Sequence, residues 1–123
     1  SRIIFSGHVA RYKGVRFVAV TGGAALPYVL GRLQRNFELN RKNLSDPQEA
    51  LQQLYYDTIV HDARVLRFMA EIVGEDRLMM GSDSPFPIGD ASPLDVVTNA
   101  GFTKAQMRRI NGGLAAHLFG LDA

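Results

Sequence analysis

Asp83 follows the apolar run Leu78-Met79-Met80-Gly81 and precedes Ser84-Pro85-Phe86-Pro87. A short buried strand that stops there presents a carboxylate at its carboxyl end, because the prolines forbid further ladder pairing. α/β proteins put their chemistry at such strand ends. A carboxylate in that place can serve catalysis or hold a metal, and it can equally accept backbone hydrogen bonds in a turn. Both readings of Asp83 stand on these residues alone. Two other polar groups close apolar runs in the same manner, Thr21 after residues 15–20 and His61 after residues 54–60.

Cysteine is absent, so His, Asp and Glu are the remaining strong metal ligands. The histidines are His8, His61 and His117, far apart and forming no His-x-His pair. A catalytic zinc takes about three protein ligands, so Asp83 alone does not make a site. Gly22-Gly23 joins a strand to a helix as a phosphate loop would, but the third glycine of a dinucleotide fingerprint and the Lys-Ser/Thr pair of a P-loop are missing. These glycines read as positions where the backbone passes close to a neighbour. Met69, Met79, Met80 and the phenylalanines sit at core spacings and read as packing.

The elements that must position these groups follow from periodicity. Residues 2–12 carry Ile3, Ile4, Phe5, Val9 and Tyr12 at loose helical spacing. Residues 15–20 predict a strand buried on both faces, ended by Gly22-Gly23. From Ala24 the period changes, and Leu26, Val29, Leu30, Leu33 and Phe37 fall on one helical face. Pro47 can begin a short helix to Gln53. A second strand spans residues 54–60, and Asp62 is the expected N-cap of a helix with Val65, Leu66, Met69, Ile72 and Val73 inward. Gly74 supplies a left-handed stop, and residues 77–81 form the third strand. Ser92-Pro93-Leu94-Asp95 predicts a capping box, as does Thr103-Lys104-Ala105-Gln106, whose helix weakens at Gly112-Gly113 and resumes with Leu114, Leu118 and Phe119. Three strand-helix units of this length suit parallel strands with right-handed crossovers, either a small layered sheet or three-eighths of a closed barrel. In the barrel, Thr21, His61 and Asp83 line one face.

At 123 residues, 46% hydrophobic and 21% charged, the chain has the composition of a soluble globular domain or part of one. No apolar run approaches the roughly 20 residues of a membrane span, and no signal pattern opens the chain, so a cytoplasmic protein is expected. The net charge of +2 is small and its cations are scattered, which argues against nucleic-acid binding. The first residue is Ser, which reads as a processed chain, one lacking its start, or a piece of something longer.

The ordered motifs are residues 18–28 with Gly31-Arg32, Tyr55-Tyr56-Asp57-Thr58, Gly74-x-Asp76-Arg77, residues 81–87 and the closing residues 115–121. Together they resemble the carboxyl-terminal part of amidohydrolase-related enzymes, in particular the aminocarboxymuconate semialdehyde decarboxylase family. The resemblance implies an α/β fold of three consecutive parallel strand-helix units, the carboxyl-terminal portion of a TIM (β/α)8 barrel, with residues 1–123 as a single partial domain. It also implies a divalent metal, usually zinc, held in that family by a His-x-His pair, a further His and a last-strand Asp. Asp83 matches that Asp, as metal ligand and catalytic residue. Thr21 stands where relatives carry a His that moves protons; its hydroxyl does not titrate near neutral pH, so a rate factor of roughly 10²–10⁴ is at stake. Leu114 and Ser84 likewise replace a usual Asn and a frequent Tyr. Arg32 matches an arginine that grips a substrate carboxylate, in some cases across a subunit boundary, although its residue type also suits a solvated helix face. His61 is the other candidate substrate-binding group. The implied function is metal-dependent decarboxylation or hydrolysis of a small carboxylated molecule, in a homo-oligomer without nucleic acid or membrane. The alternative is an inert remnant acting as an oligomerisation or interaction module.

Overall fold

The computed structural model describes residues 1–121. Its centre is a sheet of three parallel strands in the order β1 (Val18–Ala19), β2 (Tyr55–Asp57), β3 (Leu78–Met79). The register pairs Val18 with Tyr55, Ala19 with Tyr56, Tyr56 with Leu78 and Asp57 with Met79. Around it run α1 (Arg2–Phe5), α2 (His8–Arg11), α3 (Leu30–Leu39), α4 (Pro47–Gln53), α5 (Ala63–Val73), α6 (Pro93–Asn99), α7 (Lys104–Arg108) and α8 (Leu114–Phe119).

Alternation along the strands divides the packing between two faces. Tyr56 and Leu78 join the main core with Leu51, Leu66, Met69, Val97 and Ile110. Their chain neighbours Tyr55 and Met79 point the other way and meet Leu114 and Leu118 of α8. The outer edge of β3 is not bare, because the Met80 N–H donates to the Ile110 carbonyl at 2.8 Å. That carbonyl is freed by a wide π-helical turn over Arg109–Gly113, which accounts for the weak point expected at Gly112-Gly113.

Several local expectations are corrected. The strand read over residues 15–20 pairs only at Val18–Ala19, extended by a bond from Tyr55 N–H to the Phe17 carbonyl at 2.9 Å. It is not buried on both faces: with only β2 beside it, Val18 stays 41% and Val20 68% exposed. The helix read from Ala24 starts at Leu30 instead: Ala24 has φ 51°, which no right-handed helix admits, and residues 25–29 form turns before the helix begins. The first segment is two single turns broken at Gly7, whose φ is 70°. Gly74 does end α5, but at φ 95°, ψ 135°, an extended geometry open to glycine and not the left-handed helical one.

Of the caps, Asp46 and Asp62 accept from the N–H groups of α4 and α5, and Thr103 with Gln106 forms the full capping box of α7. Ser92 does not cap α6 through its side chain. Its own N–H is held by the Asp90 carboxylate at 2.8 Å, and its ψ of 60° departs from the extended value that aims an N-cap oxygen at the helix.

Candidate active site

The carboxyl ends of the strands are organised by Asp57, a residue the sequence reading placed inside a motif without assigning it a task. Its side chain is 7% exposed, and a carboxylate so buried requires donors. Asp57 Oδ2 accepts from Thr21 N–H at 2.8 Å, while Oδ1 accepts from Gly22 N–H at 2.7 Å and Ile59 N–H at 3.1 Å. One side chain on β2 thus fixes the turn that leaves β1 and the turn that leaves β2. The signal available in the sequence was an Asp inside an apolar strand, where an unpaired charge is too costly to keep.

The turn after β1 carries four consecutive positive φ values: 53° at Thr21, 60° at Gly22, 74° at Gly23 and 51° at Ala24. The two glycines take this without penalty and also allow close approach. A Cβ on Gly22 would lie 2.5 Å from Val60 Cγ1 and 2.7 Å from Met69 Sδ, and one on Gly23 would lie 2.7 Å from the Tyr56 ring. Tyr56 is fully buried, its hydroxyl donates to the Leu51 carbonyl at 2.8 Å, and burial pushes its phenol pKa far above the ordinary range.

After β2 the chain turns sharply, with Val60 N–H bonded to the Thr58 carbonyl at 2.8 Å and His61 at φ 55°. Asp62 then opens α5, its carboxylate taking Arg64 N–H at 2.8 Å and Arg64 Nη2 at 2.7 Å. The bond from the Arg64 side chain, ahead of that from its N–H, holds the Asp62 pKa down at about 2. Beyond β3, Gly81 N–H reaches the buried Thr58 hydroxyl at 3.3 Å, so the third exit is tied to the second.

Asp83 lies at φ 58° in a loop closed by Phe86 N–H to the Asp83 carbonyl at 3.0 Å and Asp90 N–H to the Ser82 carbonyl at 2.7 Å. Gly89 fits inside that loop, where a Cβ would lie 2.7–2.9 Å from the carbonyl oxygens of Ser82, Asp83 and Phe86. These bonds use the Asp83 backbone and leave the residue exposed.

Thr21, His61 and Asp83 therefore sit on one end of the sheet, each just past a strand and each with a left-handed backbone. They do not all share one cavity. Thr21 and His61 line a cavity of about 390 Å³ with Tyr28, Val65, Phe68 and Met69. Arg32, exposed on α3, lines a separate groove of about 970 Å³ with Arg35, Phe5, Leu33 and Leu39. Ala24 borders both, and Asp83 lines neither. Among the described residues no three His, Asp or Glu side chains gather closely enough to hold a metal ion. The donor set present is that of one oxygen ligand, short of the roughly three protein ligands of a catalytic centre.

Comparison with known proteins places this arrangement. The chain is 28% identical over 126 residues to 2-amino-3-carboxymuconate-6-semialdehyde decarboxylase of Dictyostelium discoideum, a match covering 98% of the chain and 35% of the relative. It thus spans about a third of that relative's length. Among solved structures, apo IDCase of Metarhizium anisopliae superposes with a TM-score of 0.83 at 24% identity, over 99% of this chain and 38% of the other. A dihydroxybenzoic acid decarboxylase of Polaromonas sp. JS666, solved with bound manganese and 2-nitroresorcinol, gives 0.83 at 21% identity, over 99% and 39%. At these identities the structures establish the fold, three parallel strand-helix units of a partial TIM barrel. The amidohydrolase family profile matches residues 3–121, and the chain belongs to the amidohydrolase family.

Proposed function

We propose that this chain is the carboxyl-terminal part of a metal-dependent decarboxylase of small carboxylated molecules, with Asp83 as one ligand of a divalent metal. The observation that carries this reading is an exposed carboxylate one loop beyond β3, on the same end of a parallel sheet as Thr21 and His61. Strand ends of this kind supply catalytic groups in (β/α)8 enzymes. Relatives and fold neighbours named as decarboxylases, one solved with bound manganese, support it. Zinc is the metal expected from the family resemblance, and a homo-oligomeric, cytoplasmic enzyme is the expected setting.

The described residues do not complete a metal centre, so no chemical step is assigned through one. What this chain's own groups do is narrower. Asp57 holds the Thr21-Gly22 turn rigid through two backbone bonds. The Thr21 hydroxyl donates or accepts a hydrogen bond without titrating. Arg32 offers a guanidinium fork to a carboxylate, and His61 a ring nitrogen at the rim. The test is decarboxylation of carboxylated aromatic substrates by the full-length protein and its Asp83→Asn variant. The reading requires turnover that falls at least about a hundredfold in the variant; turnover that survives the substitution rejects it.

A further inference from the structure

Cations are scattered along the sequence, yet the fold gathers three of them at the end of the sheet opposite Asp83. Arg16 stands two residues before β1, Arg77 directly before β3, and Lys13 two residues beyond α2. All three line one cavity of about 530 Å³ together with Tyr55, the first residue of β2. Among the described residues no Asp or Glu lines it. That volume falls within the range of small-ligand pockets, roughly 300–1,000 Å³.

Elsewhere arginines meet carboxylates close by in the chain: Arg35 with Glu38, Arg64 with Asp62, Arg67 with Glu71. Among the described residues Lys13 and Arg16 form no such pair. Arg77 does, with Asp76 Oδ2 at 3.4 Å from its Nε, but that occupies one edge of the guanidinium and Asp76 does not line the cavity. Three cations around one space repel each other, and a multivalent anion between them removes that repulsion. Their placement rests on contacts that cancel no charge. Arg16 Nη1 donates to the neutral Leu118 carbonyl at 3.2 Å, and the Arg77 guanidinium lies over the Tyr55 ring, 5.4 Å from its centre. Guanidinium groups held in this way present planar forks of N–H donors that match phosphate oxygens, and Lys13 adds a point charge. A phosphate monoester carries about −1.5 to −2 at neutral pH, against −1 for a carboxylate. Val9 and Val15 give the cavity an apolar side for the esterified group.

We propose that this cavity binds the phosphate group of a small molecule, gripped by Lys13, Arg16 and Arg77. The site is at the amino-terminal end of the strands, away from Thr21, His61 and Asp83, and the inference is independent of the decarboxylase reading.

Phenyl phosphate, inorganic phosphate and benzoate are suitable probes, titrated at low ionic strength into the isotopically labelled full-length protein while NMR follows the arginine Nε–H groups and the Tyr55 ring. The expected result is saturable shifts at Arg16, Arg77 and Tyr55, a dissociation constant on the order of 0.1–1 mM for phenyl phosphate, and at least about fivefold weaker binding of the singly charged benzoate. Inorganic phosphate that binds as well as phenyl phosphate identifies free phosphate as the source, and weaker inorganic phosphate identifies a monoester; both support the site. Lys13→Glu, a change at an exposed side chain, weakens phenyl phosphate at least about tenfold, and Arg16→Gln weakens it several-fold. Asp83→Asn leaves the affinity unchanged, which separates this cavity from phosphate held by a metal at the other end of the sheet. The proposal is overturned by absence of saturation, by shifts centred elsewhere, by equal affinity for benzoate, by undiminished affinity in Lys13→Glu, or by loss of binding in Asp83→Asn. Should Arg16→Gln lose its native spectrum, Lys13→Glu alone decides.

Discussion

Replacing Asp57 tests whether one buried carboxylate holds the strand exits together. In Asp57→Ala, three N–H groups lose their acceptor. Gly22 is buried, so its N–H stays unsatisfied at a cost of about 1–3 kcal/mol. Ile59 is half-buried and loses about 1 kcal/mol, while Thr21 is exposed and water replaces its bond at little cost. Removing a buried charge returns part of this, because the carboxylate no longer has to be desolvated. The net expectation is about 1–3 kcal/mol of lost stability, at roughly 3–6 °C of Tm per kcal/mol for this chain length. Asp57→Asn keeps Oδ1 for Gly22 and Ile59 and turns its amide against the Thr21 N–H, so about 1–2 kcal/mol is expected. Urea and thermal unfolding read the totals, and amide hydrogen exchange at Gly22 and Thr21 reads the location. A loss under about 0.5 kcal/mol in Asp57→Ala, or unaltered exchange at Gly22, would mean that Asp57 does not hold the strand exits together.

Gly22→Ala combines a disfavoured φ of 60° with a Cβ 2.5 Å from Val60, whereas Gly101→Ala has φ 74° and no neighbour within 4 Å. The first should cost about 2–4 kcal/mol and the second about 1–2 kcal/mol by chemical denaturation; equal costs would mean the close approach has no energetic weight. Tyr56→Phe gives up one buried bond to Leu51 and should lose about 0.5–1.5 kcal/mol. Because the folded-state pKa of Tyr56 is raised, its contribution is intact below pH 10 and declines as pH climbs above it, so the wild-type Tm should fall more steeply there than that of the Phe variant. Asp62 is shifted the opposite way, to about 2 from 3.8, so its contribution is intact above about pH 4 and is lost between there and about pH 2. The Arg64 amide resonance should titrate in that window, and a midpoint near 4 would contradict the pairing with Arg64.

The three strand-helix units were legible because buried runs and helical faces survive in the pattern of residue types. Val15 and Val20 misled, since β-branched character marks strand propensity and not the presence of a neighbour: β1 has a partner on one side alone and its valines remain exposed. The early start read for α3 failed for a conformational reason. Leu26, Val29 and Leu30 have helical spacing, yet four positive φ values precede them, and the two that fall on Thr21 and Ala24 leave no trace in composition. At the strand ends, Thr21, His61 and Asp83 were visible as polar residues closing apolar runs. Asp57 was visible only as an Asp inside an apolar strand; its task was not, because it is set by donors 35 and 36 residues away. The Ser92 cap failed to a competitor, the Asp90 carboxylate two residues upstream.

The proposed decarboxylase makes Asp83 a ligand of a divalent metal. Its left-handed backbone, φ 58°, makes Asn the appropriate replacement, since Asn tolerates that geometry while losing the anionic oxygen. The direct measurement is elemental analysis of the purified full-length protein, with metal affinity by competition, for wild type and Asp83→Asn. A bound divalent metal near one per chain in wild type, with affinity reduced at least about tenfold in the variant, is the predicted result. Equal metal content and affinity in both proteins, or none in either, would contradict it.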